Sequence, residues 1–588
     1  MSSDRKINNE GNEEERKLRQ DPKNKVNNSS QQNSCTEETR LLNNLQKEEM
    51  ELKKNGIVNA GAGQQYGRKS TFIQFVLCII SNSSVISSGM TLGFSAVVLP
   101  YMMIPNDVLY VTPSEGSWIA SLATISTPIG CLMIGPIIDY LGRKTGILFV
   151  NVPAIIGWLC ITIQPSLIQL YIGRLLTGIA CGLSSVPSTV YMAESSTAAQ
   201  RGYLMTGTSI AISLGVAIVY ILGLIFQENW KMVAAICCSV PVVSSILIIF
   251  FLPESPLWLM SHKKPDKAKE SLMVLRATKN PSVIQTELDE ITQRVKNNRK
   301  KQTFISVIKA VARPECYKPL LIMNTFFLFQ QLTGIFVVIF YAVDVVREAG
   351  VTADPFVIAV LIGLTRLIFT LFAAWMSRRF GRRVTAIVSG MGMTISLMIL
   401  ATLVLIQLPQ LENDQYKIPL FNKTENLTDY EDSISSLNIT GDAGSGSDTV
   451  DKPPTFLPVI AILIYILSST VGFLTLPWSM IGEVYPVQIR GVGSGFTTCM
   501  TYVFSFFTIK LYPTMIFYMQ KHGVFYFYGT MALLGTIFVY FFLPETQGKT
   551  LAEIENIFTR KRKRQHDIEE EEALSSTKMV TIVPAGSR

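Results

Sequence analysis

Twelve apolar stretches, each about the length of a membrane-crossing helix, succeed one another along this 588-residue chain. They fall near residues 72–94, 117–138, 146–164, 167–191, 203–226 and 232–252, and again near 319–343, 356–377, 385–407, 456–482, 491–515 and 521–543. A hydrocarbon core about 30 Å thick takes roughly 20 apolar residues per helix. Lipid offers the backbone no hydrogen bonds, so such runs must be helices, and they are twice as long as the roughly 10-residue strands of a membrane barrel. The pattern predicts an all-α membrane protein with twelve transmembrane helices. Polar segments divide it into a disordered tail (1–70), six helices (71–252), a linker (253–318), six more helices (319–543) and a second tail (544–588).

The two sets of six repeat one another. An acid precedes Arg-Gly by seven positions in both "ESSTAAQRG" (194–202) and "EVYPVQIRG" (483–491), an offset of 289. "LPESP" and "LPETQ" recur at 291, whereas "DYLGRK" (139–144) and "RRFGRR" (378–383) recur at only 239. The second half therefore carries about 50 extra residues, found at 408–455. Repeated halves around a midplane site are a transporter architecture.

Charge sets the orientation. Only 16% of residues are charged, where a soluble domain carries about 25%. "GRKTG" (142–146), the linker and "SRRFGRR" (377–383) are basic, while 101–116 has acids and no Lys or Arg. By the positive-inside rule both termini are cytosolic. The insertion is then outside, and its Asn422, Asn426 and Asn438 each open an N-x-Thr glycan acceptor sequence. The net charge of +8 belongs to this asymmetry, with no aromatic-basic interleaving to point to nucleic acid. Nine cysteines avoid the outside loops and three histidines lie far apart, so disulfide, metal and Cys–His catalytic readings have no support, and no cofactor is implied. In the N-terminal tail "EETRLL" matches an acidic dileucine sorting signal, Glu37 before Leu41 and Leu42.

Seven motifs carry a resemblance: "GPIIDYLGRK" (135–144), "GRLLTG" (173–178), "VYMAESS…RG" (190–202), "PESPLW" (253–258), "QQLTG" (330–334), "PWSMIGEVYP…RG" (477–491) and "PETQGKTL" (544–551). Together they resemble the sugar porter family of the major facilitator superfamily across roughly 72–560, and the surrounding stretches look most like its arthropod facilitated trehalose transporter-like branch. The resemblance implies two pseudo-symmetric six-helix bundles, not an enzyme, that open a central cavity to either face in turn. It implies a sugar as small-molecule partner and a plasma-membrane or endosomal/lysosomal location. Asp139, Arg143, Glu194 and Arg201, with Glu483 and Arg490 opposite, lie at cytosolic helix ends and read as inner-gate latches. Arg378 stands where the second-half motif carries an acid, so the latch mirroring Asp139 is expected to be altered or missing.

"FQQLTG" interrupts the seventh run with amides. An amide has two donors and an acceptor, enough to hold sugar hydroxyls without a charge. The family places sugar-binding glutamines at Gln330 and Gln331 and a tryptophan at Trp478, and Tyr341 follows Gln330 and Gly334 at helical spacing. Helix–helix hydrogen bonding is the competing use of the glutamines, and aromatic packing that of Trp478. Ser209, Phe336, Arg366 and Thr501 replace amide side chains of the family's hydroxyl-binding set. Arg366 costs at least about 2.5–3.5 kcal/mol at mid-helix, and either lines the cavity or bridges to carbonyls and water. Ser95, in "GFS", replaces the first-helix acid of proton-linked relatives, which leaves Arg174 without a titratable neighbour and predicts a uniporter. The alternatives are a sugar sensor of the same fold and a carrier of a polyol or organic anion. Oligomeric state is not legible.

Overall fold

The computed structural model describes residues 68–104, 110–163, 166–227, 229–297, 313–351, 353–413, 456–486, 489–547, 549 and 553–554. The fold below is that of the unit formed by residues 67–196 and 200–588. Its first half comprises α1 (Arg68–Met102), α2 (Pro113–Leu141), α3 (Arg143–Ile163), α4 (Leu167–Ser184) continued by α5 (Pro187–Ser195), α6 (Gly207–Ile225) and α7 (Trp230–Phe251). Short helices α8 (Pro256–Ser261), α9 (Pro265–Leu275) and α10 (Gln285–Asn297) follow. The second half comprises α11 (Pro314–Leu332), α12 (Ile335–Phe340), α13 (Ala342–Glu348), α14 (Pro355–Phe380), α15 (Arg382–Asn413), α16 (Phe456–Val471), α17 (Leu476–Val484) and α18 (Arg490–Phe542).

Local sequence explains the helix starts. Proline opens α2, α5, α8, α9, α11 and α14, where its missing N–H is not needed. Thr112 and Glu115 cap α2 reciprocally, and Asp354 accepts the Phe356 N–H at the head of α14. Among the described residues ten helices are long and apolar enough to cross a membrane. One of these, α18, bends at Gln520 (φ 58°) and so supplies two crossings, while the seventh predicted run is present in three pieces, α11 to α13. The twelve predicted runs are thereby all accounted for. One boundary differs: α15 runs to Asn413, past the predicted start of the insertion at 408. Asn422, Asn426, Asn438, Glu37, Leu41 and Leu42 lie outside the described residues.

The halves repeat in packing as in sequence. In the first, α1 lies on α6, α2 on α4 and α3 on α7; in the second, α11 lies on α18, α14 on α16 and α15 on α18. Two seams join them, α2 against α18 and α6 against α14, as a two-fold relation between repeats requires. Large apolar side chains such as Phe250 and Phe541 are exposed on the outer surface, where lipid would cover them. The α2–α3 and α14–α15 connections share one end, here the latch end; the α1–α2 and α13–α14 connections mark the far end.

Candidate functional site

The centre of the site is the first break in the seventh span. Gly334 adopts φ 78°, a left-handed conformation that costs glycine nothing, and a Cβ there would meet the Tyr528 ring at 2.5 Å. Gln330 and Gln331 occupy the last turn of α11, both at 0% exposure. Gln330 Nε2 donates to the carbonyls of Phe473 (2.6 Å) and Leu474 (3.2 Å), which are left open where α16 stops before α17. One glutamine thus serves helix–helix bonding, with its Oε1 unpartnered. Gln331 has no partner at either Oε1 or Nε2. A buried amide left this way costs roughly 2–7 kcal/mol.

The other expected ligands are distributed unevenly. Trp478, partly exposed in α17, packs edge-on against Phe327 (5.0 Å) and tilted against Tyr502 (6.1 Å). Thr501 is buried and donates to its own helix at Thr497 O, and Ser209 is exposed near the start of α6. Tyr341 does not share a helical face with Gln330, because the chain breaks at both Gly334 and Tyr341; instead its ring lies 5.0 Å from Tyr512. Arg366 is 6% exposed in α14, and its Nε and Nη1 have no partner. The phenol of Tyr220 is its electrostatic neighbour from α6, across the seam.

Arg174 shows how an arginine is satisfied without an acid. At 0% exposure it donates to Ile119 O (2.9 Å), Thr91 O (3.0 Å) and Ser95 Oγ (2.8 Å). All three acceptors are neutral.

At the latch end both halves carry the same charged clip. Arg143 pairs with Glu194 (2.9 Å), and Arg382 pairs with Glu483 (2.7 Å). The second oxygen of Glu194 accepts from Ser255 Oγ, and that of Glu483 from Thr546 Oγ1 (2.8 Å). Glu254 accepts the backbone N–H groups of Arg143 and Lys144, as Glu545 accepts those of Arg382 and Arg383. Burial alone would raise the Glu545 carboxyl, but four backbone N–H bonds, from Gln547, Arg383, Arg382 and Thr546, hold it below the ordinary range. Asp139 pairs with Arg143 at 3.2 Å but is largely exposed. Arg201 and Arg490 do not pair with the glutamates: they donate to Ser196 O and Tyr485 O, each binding a nearby carbonyl. The second-half latch is altered rather than missing, since Arg382 turns to the Ser377 hydroxyl where Arg143 finds Asp139. Sequence reading passed over Arg382, although the 239 offset that aligns Asp139 with Arg378 also aligns Arg143 with Arg382.

Both latches lie within a half. Among the described residues, bonds between halves include Ser213 to Thr370 (3.0 Å), Tyr220 OH to Ile339 O (2.7 Å) and Gln227 to Asp354 (3.3 Å), in the middle or at the far end. Lys510 Nζ donates to Ser117 Oγ (2.7 Å) and stands 4.0 Å from the Trp118 ring centroid. Tyr101 stacks on Phe356, also between the halves.

Paired helical halves, mirrored clips and a broken, amide-bearing seventh span define a membrane carrier of the major facilitator kind. The model of the family described as "Sugar (and other) transporter" matches residues 110–417 and 438–558, and the chain belongs to that family, a family of transporters and not of enzymes. It is 29% identical over 482 residues to the facilitated trehalose transporter Tret1 of Drosophila virilis, covering 81% of this chain but only 48% of that protein, so it spans about half the length of that relative. Against Tret1 of Culex quinquefasciatus it is 28% identical, covering 83% of this chain and 86% of the relative. The inward-open structure of the xylose transporter XylE from E. coli shares the fold, with a TM-score of 0.61 at 20% identity over 82% of this chain and 99% of that one.

Proposed function

We propose that the chain is a facilitative carrier of a neutral sugar, trehalose or a hexose, working by alternating access in the plasma membrane or an endosomal/lysosomal membrane with both termini cytosolic. The observation that carries this reading is Gln331, fully buried with both ends of its amide free at the break in the seventh span. In this reading Gln330, Trp478 and Thr501 join Gln331 in holding the sugar, and Asp139, Arg143, Glu194, Arg201, Glu483 and Arg490 act as the inner gate. Uniport is supported by the neutral acceptors around Arg174, because a proton-linked cycle needs a group there that titrates. The names of the Tret1 relatives support trehalose.

A second reading, a carrier of an organic anion, is favoured by the two unpartnered donors of Arg366. The test for both is uptake of a labelled panel by the purified full-length chain in sealed proteoliposomes. Saturable uptake of trehalose or glucose, indifferent to an imposed proton gradient, is the expected result. Uptake of a carboxylate or phosphate ester in preference to both sugars would replace the first reading with the second, and no uptake of any solute would overturn both.

A further inference from the structure

Tyr220, in α6, is used neither by the candidate sugar site nor by the charged clips. It is 1% exposed, and its hydroxyl donates to Ile339 O at 2.7 Å. Ile339 lies in the last turn of α12, just before the second break of the seventh span, where Tyr341 leaves helical geometry (φ −129°, ψ 32°). A helix that stops leaves the carbonyls of its last turn without helical partners. Here one of them is taken by a phenol from the other half of the molecule.

The ring is held as closely as the hydroxyl. A Cβ at Gly363 of α14 would meet its Cδ2 at 3.0 Å, and one at Gly93 of α1 would meet its Cε1 at 3.1 Å, so the ring lies against two helices at points where neither carries a side chain. Its place in the α6–α14 seam is regular. Ser213 bonds Thr370 seven positions before Tyr220 on α6 and seven after Gly363 on α14, and residues seven apart share one helix face. Ser213 stops at that seam, whereas Tyr220 reaches past it to the seventh span. We propose that Tyr220 is a positioning residue, whose hydroxyl caps the second break of the seventh span from the opposite half, so that the break persists while α6 and α12 touch and closes into continuous helix when they part.

The reason is the cost of an open carbonyl. Ile339 O has two donors within its reach: the Tyr220 hydroxyl across the seam, and the Val343 N–H that an unbroken α-helix would bring to it. At membrane depth an unsatisfied carbonyl is costly, so loss of the first donor favours the second. In an alternating-access cycle, on which this proposal rests, the halves part along such seams. The seventh span is then kinked in one state and straighter in the other, and α12, which joins Gly334 to Tyr341, carries that change to the end of α11 where Gln331 lies.

Amide hydrogen exchange, read by mass spectrometry on peptides covering 339–345 of the full-length chain in lipid nanodiscs without substrate, tests this. Tyr220→Phe keeps the ring and removes the hydroxyl alone. Exchange at Ala342, Val343 and Asp344 should slow by about 2- to 10-fold as helical bonds form across Tyr341. Ser213→Ala removes the neighbouring seam bond and leaves the phenol, so exchange there should stay at the wild-type rate. Unchanged or faster exchange in Tyr220→Phe, the result expected of a tyrosine that only packs, overturns the proposal, and so does equal slowing in Ser213→Ala. Because no sugar is present, failure of the chain to carry one would count against the carrier reading and leave the exchange result standing.

Discussion

At the scale of single residues, the two neighbouring glutamines have different work. Gln330 holds open carbonyls of the tenth span, while Gln331 holds nothing of the protein. Replacing Gln330 by leucine should lower stability by about 1–3 kcal/mol, because two buried acceptors lose their donor. Replacing Gln331 by leucine should leave the melting temperature unchanged or raised, and weaken sugar binding about tenfold or more. Thermal melting and binding titrations on the two variants check this; equal melting losses would remove the distinction. The sequence made both glutamines visible as polar residues in an apolar run, but it could not divide their roles. That division depends on where the tenth span breaks, some 140 positions away along the chain. Tyr341 failed to join them for a similar reason, since helical spacing means nothing across a kink.

Among the elements, the seventh span shows most clearly how composition yields to packing. Its apolar run was legible, and Gly334 marked a bend, but the second interruption at Tyr341 had no glycine or proline to announce it. Substituting Gly334 by alanine places a methyl against the Tyr528 ring on a left-handed backbone. The expected loss is about 1–3 kcal/mol, read as a lowered melting temperature; a wild-type melt would show that the bend tolerates a side chain. The clips teach the opposite lesson. Their acids and arginines were visible, but the nearest opposite charges in sequence were the wrong partners: Arg201 lies close to Glu194 along the chain, yet Arg143 reaches it in space.

For the whole molecule, contacts at the far end join the two halves. Lys510 bonds Ser117 and overlies Trp118 across a seam, an interaction worth about 0.5–2 kcal/mol. If alternating access holds, Lys510→Met should therefore shift the closed-to-open ratio at the far end by roughly 2- to 30-fold toward open, measured as the separation between spin labels at the exposed positions 168 and 456 in the full-length chain in liposomes. An unchanged ratio would show that the lysine is a bystander. The two-half plan itself was legible from repeated motifs, because each clip leaves a signature of charge and glycine in sequence. Which bonds join the halves was not, since Tyr220, Gln227 and Lys510 make them and none belongs to a repeated motif.

The glutamate that follows the last crossing of each half, Glu254 or Glu545, caps the backbone at the start of that half's third crossing. Each bundle is thus fastened by its own final residues and needs nothing from the other to complete the fastening. During synthesis the first bundle has all the parts of its clip as soon as position 255 has emerged, before any of the second exists. A gene encoding one such self-fastening unit could be duplicated and joined end to end without redesigning either copy.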